Sequence, residues 1–104
     1  MILNDEQRST LELAIEIYGV NNQVDMCLEE MSELTKALLK YRRFSDALNI
    51  SKERKDGLLA NIIEEIADVI VMCEQMAMVH GEDYVKAMLN HKIERLAERL
   101  HKEV

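Results

Sequence analysis

The chain has 104 residues, a mass of 12.1 kDa, a formal charge of −7 and a pI near 4.9. That length fits one domain spanning residues 1–104. The charge argues against a nucleic-acid polymer as partner, because such binding needs Lys and Arg against phosphates; a small phosphate ligand stays open if a divalent cation bridges the like charges.

Proline is absent, only three glycines occur and aromatics are few, so a chain rich in Leu, Ala, Glu, Lys and Met favours helices throughout. The first helix is expected from Asn4, an N-cap with Gln7 three residues on as a capping box. Leu11, Ala14, Ile15 and Tyr18 form its apolar stripe, and Gly19 stops it. The second opens at Asn21 or Asn22 and runs to about Arg43, with Val24, Cys27, Leu28, Met31, Leu34 and Leu38 as its main apolar face. A polar connection follows, SDALNISKERKDGL. It reads as a solvated loop with room for one short helical turn between Ser51 and Gly57, or as a locally basic lid carrying Lys52, Arg54 and Lys55.

The third helix is expected over roughly Leu58 to Val79. ADVIVMC within it could pass for a buried strand, but the apolar pattern continues too long without a turn signal. Its core face reads as Ile62, Ile63, Ile66, Val69, Ile70, Cys73 and Ala77, with Glu64, Glu74 and Gln75 pointing away. The fourth helix starts near Glu82-Asp83, acids suited to the positive end of a helix dipole. It carries Val85, Leu89, Ile93, Leu96 and Leu100 to the end. The fold class is therefore all-α, an antiparallel bundle of about four helices.

Cys27 and Cys73 form no CxxC, have no nearby His and fall among apolar residues. Buried reduced thiols are the expectation, against a disulfide or metal pair. No apolar run approaches the ~20 residues of a membrane span, and MILNDEQ lacks a basic n-region and an apolar signal core. A cytoplasmic protein without a membrane partner is expected.

Two acidic pairs break the apolar pattern. Residues three apart are neighbours on one helix face. Glu30 and Glu33 share a side with Met26 and Ala37 on the second helix; Glu65 and Asp68 share a side with Met72, Met76 and Val79 on the third. If the helices pack antiparallel, the pairs can face each other near mid-bundle. Desolvating an ionised carboxylate costs several kcal/mol, so such a cluster needs raised pKa values, basic partners or an oxygen-loving cation such as Mg²⁺ or Mn²⁺. The bland alternative is a pair of solvated acidic faces. On the fourth helix Lys92, Arg95 and Arg99 flank the apolar stripe, a row suited to phosphate oxygens or to an ordinary surface network in which Glu94 pairs with Arg95 or Arg99 and Glu98 with Lys102.

Glu29-Glu30-x-x-Glu33 followed by Glu65-x-x-Asp68 resembles the paired acidic motif of the MazG-like, all-α nucleoside triphosphate pyrophosphohydrolases. Asn90-His91-Lys92-Ile93-Glu94-Arg95 is similar to that superfamily's C-terminal N-x-K-x-x-R segment. The likeness covers the chain from the second helix onward. It implies a bundle completed by assembly into a homodimer or homotetramer. It also implies Mg²⁺-dependent hydrolysis, with Mn²⁺ as a substitute, of a (deoxy)nucleoside triphosphate to the monophosphate and pyrophosphate. By position, Glu30, Glu33, Glu65 and Asp68 would be metal ligands, and Glu29 would orient or deprotonate the attacking water. Lys92 and Arg95 would contact phosphates, with Asn90 on sugar or phosphate. The chain departs from compact members in the longer gap between Glu33 and Glu65, assigned to the Ser45–Leu58 loop, and in a first helix without the aromatic and His residues that some relatives place around the base.

Two other readings fit parts of the sequence. One is a non-catalytic oligomeric helical interaction module whose acids form structural salt bridges. The other is a di-iron carboxylate bundle, which wants two E-x-x-H motifs; Glu98-x-x-His101 in the last turn is the only one present.

Overall fold

The computed structural model describes residues 3–104, so that Met1 and Ile2 of the MILNDEQ start lie outside the described residues. Within them the regular structure is α1 (Asp5–Tyr18), α2 (Val20–Phe44), α3 (Lys52–His80) and α4 (Glu82–Glu103), with no strand. No helix is long and apolar enough to cross a membrane.

The helix ends follow local chemistry. Asn4 Oδ1 accepts from the Gln7 backbone N–H at 2.8 Å, and Gln7 Oε1 accepts from the Asn4 N–H at 3.0 Å, the capping box expected there. Gly19, at φ 89°, ends α1 and directly precedes α2. So α2 opens at Val20 rather than at an asparagine cap; Asn22 instead turns back, its Nδ2 donating to the Tyr18 carbonyl at 2.7 Å.

The larger difference is at the front of α3. The Ser51 hydroxyl accepts from the Arg54 N–H at 3.1 Å, which makes Ser51 an N-cap and Lys52–Gly57 not a separate short turn in a loop but the opening of a continuous 29-residue helix. A single mid-helix glycine costs only about 1 kcal/mol relative to Ala, which a good cap and the following long run offset. The hairpin between α2 and α3 is thus short, residues 45–51. Two guanidinium groups lie over the Phe44 ring there, Arg43 at 5.8 Å and Arg54 at 5.2 Å from its centroid. That distance suits cation–π attraction.

α2 and α3 form the antiparallel centre, α1 lies against both, and the backbone of α4 comes close only to that of α3. Gly81, at φ 123°, sends α4 off the end of α3. Every α4 residue from Asp83 onward is exposed. Arg8 holds the junction: its Nη1 and Nη2 pair with the Glu82 carboxylate, the second contact at 2.8 Å.

The packed faces agree with the sequence expectation at Cys27, Ile62 and Ala77, which are buried, and at half-buried Val24, Leu34 and Val69, and otherwise differ by roughly a quarter turn at about 100° per residue. The buried apolar residues are Cys27, Ala37, Leu58, Ile62, Met72 and Ala77. Leu28, Met31 and Leu38 on α2, and Ile63, Ile66, Ile70 and Cys73 on α3, are exposed, whereas Gln23, Glu74 and Gln75 are buried. Both helices pack along the flanks that carry the acids, with their most apolar stripes turned outward. Tyr18 is likewise exposed.

Candidate metal centre

The antiparallel hairpin sets the two acidic pairs opposite one another. One oxygen each from Glu30, Glu65 and Asp68 lies within 4.8 Å of the others, and all three residues are half-buried. Glu65 Oε2 is enclosed without a hydrogen-bond partner among the described residues. An enclosed carboxylate oxygen with no donor is costly, so such an atom calls for a proton or a cation.

The electrostatics agree. Burial is the main cause holding the Glu30 carboxyl above its ordinary value, followed by the charges of Asp68, Glu65, Glu29 and Glu33. Burial also leads for Glu65, with Asp68, Glu33 and Glu64 pushing the same way and a hydrogen bond from Glu30 acting against them. No Lys or Arg side chain forms an ion pair with the three acids among the described residues. The donor set is all carboxylate oxygen, which fits a hard divalent cation of the Mg²⁺ or Mn²⁺ kind.

The remaining motif residues fall in three places. Glu33, one turn along α2, stands at the rim; its side chain is 46% exposed and lies 3.5 Å from Lys36 Nζ. It is close enough to repel Glu30 and Glu65. Glu29 is exposed beside Glu30. Asn90, Lys92 and Arg95 are exposed on α4, which makes no close backbone approach to α2 among the described residues. Within one chain the basic row is not gathered onto the acids. Glu98 and His101 also stand on exposed α4, and no second E-x-x-H motif accompanies them.

Both cysteines are free thiols, but only one of them is buried as expected. Cys27 is buried and Cys73 exposed, yet they are neighbours across the hairpin: burial raises the Cys27 thiol first, then the charge and hydrogen bonding of Cys73. Cys27 also faces Met31, Sγ to Sδ 3.9 Å.

One further feature was not legible beforehand. A hollow of about 510 Å³, lined by Tyr18, Asn22, Gln23, Asp25, Met26 and Met72, opens along the same groove. Met26 precedes Glu30, and Met72 follows Asp68, by four residues each, so the hollow lies one helical turn from the acids. Gln23 is buried on α2, and Gln75, buried on α3, holds its Oε1 without a partner. The signal available in the sequence was the placing of these amides on the acid-bearing flanks, masked by the stronger isoleucine stripe. A scan against models of protein families matched none, and searches of curated proteins and of solved structures returned no match.

Proposed function

We propose that the chain is a divalent-cation-dependent pyrophosphohydrolase that converts a (deoxy)nucleoside triphosphate to the monophosphate and pyrophosphate. The observation that carries this reading is the convergence of Glu30, Glu65 and Asp68, with the enclosed Oε2 of Glu65 lacking a donor. These three residues, with Glu33 swung in from the rim, would hold Mg²⁺ or Mn²⁺. Such an ion, when bound, supplies charge neutralisation, a more acidic coordinated water and polarisation of a phosphoryl oxygen.

The chain's own groups would do the rest. Glu29, exposed beside Glu30, orients or deprotonates the water that attacks in line at the α-phosphorus. The bond from that phosphorus to the bridging oxygen breaks, and pyrophosphate leaves with its charge met by Lys92 and Arg95. Asn90 serves the sugar or a phosphate. These three act only where α4 is carried over the acids. The adjoining hollow lies in the usual size range of small-molecule sites; it would take the nucleoside, with the carboxamide of Gln23 as a hydrogen-bonding group.

The test is incubation with each common dNTP and NTP plus Mg²⁺, and separately Mn²⁺, with assay of monophosphate and pyrophosphate. At least one substrate should be cleaved, and Glu65→Gln should abolish release of pyrophosphate. Inertness toward every nucleotide with both metals overturns the reading. It leaves the non-catalytic helical module, in which Glu65→Gln is neutral or stabilising and Mg²⁺ has no effect on melting.

A further inference from the structure

The chain has two cysteines, far apart in sequence, and the hairpin brings them together. Two observations fix the register of the antiparallel pair. Glu30 of α2 converges with Asp68 of α3, and Met26 and Met72 line one hollow. Cys27 follows Met26, and Cys73 follows Met72. One residue turns each helix by about 100° in the same sense, and in an antiparallel pair equal turns lead to the same side. The two sulfurs therefore share a level and a side of the hairpin, where the thiols are hydrogen-bonded to each other. Packed helix axes lie about 8–10 Å apart with Cα atoms about 2.3 Å off each axis. Facing Cα atoms then approach the ~4.4–6.8 Å that a disulfide spans.

The thiols differ in what can reach them. Cys27 is buried and rests on Met31, Sγ to Sδ 3.9 Å, and burial holds its thiol above the ordinary value. Cys73 is exposed. A solvent-facing thiol beside an enclosed one is the arrangement of a sensing cysteine and its resolving partner.

We infer that Cys73 is a site of oxidation by hydrogen peroxide, and that Cys27 resolves it into a reversible Cys27–Cys73 disulfide fastening α2 to α3 beside the acidic groove. Cys73, as its thiolate, attacks one peroxide oxygen. An S–O bond forms, the O–O bond breaks, and the hydroxide that leaves takes up a proton to become water. The Cys27 sulfur gives up its proton and attacks the sulfur of the Cys73 sulfenic acid. The S–S bond forms, the S–O bond breaks and a second water leaves. Two thiols are oxidised and one peroxide is reduced to two waters. Capture by Cys27 forestalls a second peroxide, which would carry Cys73 to the irreversible sulfinic acid. The inference does not rest on the nucleotide reading, since neither thiol belongs to the carboxylate set.

The experiment treats the native, fully reduced chain with hydrogen peroxide, blocks the remaining thiols with N-ethylmaleimide and then reads the intact mass and the melting temperature. Both thiols should be lost together, with a mass lower by two hydrogens, no maleimide adduct and a single chain on a non-reducing denaturing gel. The bridged chain should melt higher, because the cross-link restricts the unfolded state, and dithiothreitol should reverse every change. Cys27→Ser should accumulate the Cys73 sulfenic acid, captured by dimedone, and Cys73→Ser should leave Cys27 unreacted. Where Cys27→Ser does not fold, the wild-type mass and the exposed-site variant Cys73→Ser still decide. A wild-type chain that keeps one free thiol while gaining oxygen or dimedone overturns the inference. So does one that links to a second chain through Cys73, resists peroxide while native, or melts lower once bridged.

Discussion

At the scale of single residues, the acids of the groove and the Arg8–Glu82 pair drive stability in opposite directions with pH. Glu30 and Glu65 are held above the ordinary carboxyl value of 4.5 by burial and by their acidic neighbours. The folded state then binds more protons than the unfolded one. Their contribution is fully present below 4.5 and is lost as pH rises through the raised values. Glu82 is held below 4.5, first by its hydrogen bond from Arg8. Its contribution is present above 4.5 and is lost as pH falls through the lowered value. Without divalent cations the melting temperature should therefore rise as pH is brought down from neutrality toward 4.5, then fall on further acidification. Glu65→Gln should raise the neutral-pH melting temperature and flatten the upper limb. Mg²⁺ at a hundredfold its dissociation constant should add about 2.7 kcal/mol to the wild type and nothing to the variant. Melting curves across that pH range, with chelator and with Mg²⁺, check all three. A profile that does not change on the Glu65 substitution would mean that its carboxyl is not confined as described.

At the scale of elements, α3 offers a sharp test, because its opening residues 52–57 read from the sequence as a connection with room for one short helical turn and instead continue into the long helix. Gly57 is exposed in mid-helix, and a Cβ built there meets nothing within 4 Å. Gly57→Ala should stabilise the fold by about 0.4–1 kcal/mol, and Ser51→Ala should cost about 1 kcal/mol through loss of the cap. Both are read from denaturant midpoints. If residues 52–57 were irregular, neither change would register. Helix number, the caps at Asn4 and the break at Gly81 were legible because each depends on a few adjacent residues. The start of α3 was not, since Lys52, Arg54 and Lys55 suit a loop as well as a helix and Gly57 reads as punctuation. The packed faces of α2 and α3 were legible only in part, at Cys27, Ile62 and Ala77, for another reason. Periodicity identifies the most apolar stripe and assumes it packs within the chain. Here Ile63, Ile66 and Ile70 form that stripe and remain outside, while Gln75 and Glu74 go in. The acidic groove was legible despite this, because Glu30–Glu33 and Glu65–Asp68 needed only helical spacing and an antiparallel hairpin. The hollow at Gln23 depended on which flank packs, and was not.

At the scale of the whole molecule, these rotations have one consequence. Leu58, Ile62 and Met72 are the only large apolar side chains buried among the described residues. Each contributes roughly 1.5–3 kcal/mol. If assembly of copies completes the bundle, as the resemblance implies, the outward stripes supply the burial that three such side chains do not. Folding and assembly should then be one equilibrium. The melting temperature should climb with protein concentration, as it does when only the associated form is stable. Dilution should give a transition that loses helix and assembled mass together, with no folded monomer between. Small-angle scattering would show, at high concentration, a particle of multiple mass instead of single chains with a radius of gyration of 17.4 Å. Placing a charge on the outward stripe, as in Ile66→Asp, should shift the whole concentration series toward unfolding. Leu48→Asp, in the turn and fully exposed, should leave it in place. Concentration-independent melting in both variants would show that the open form stands on its own.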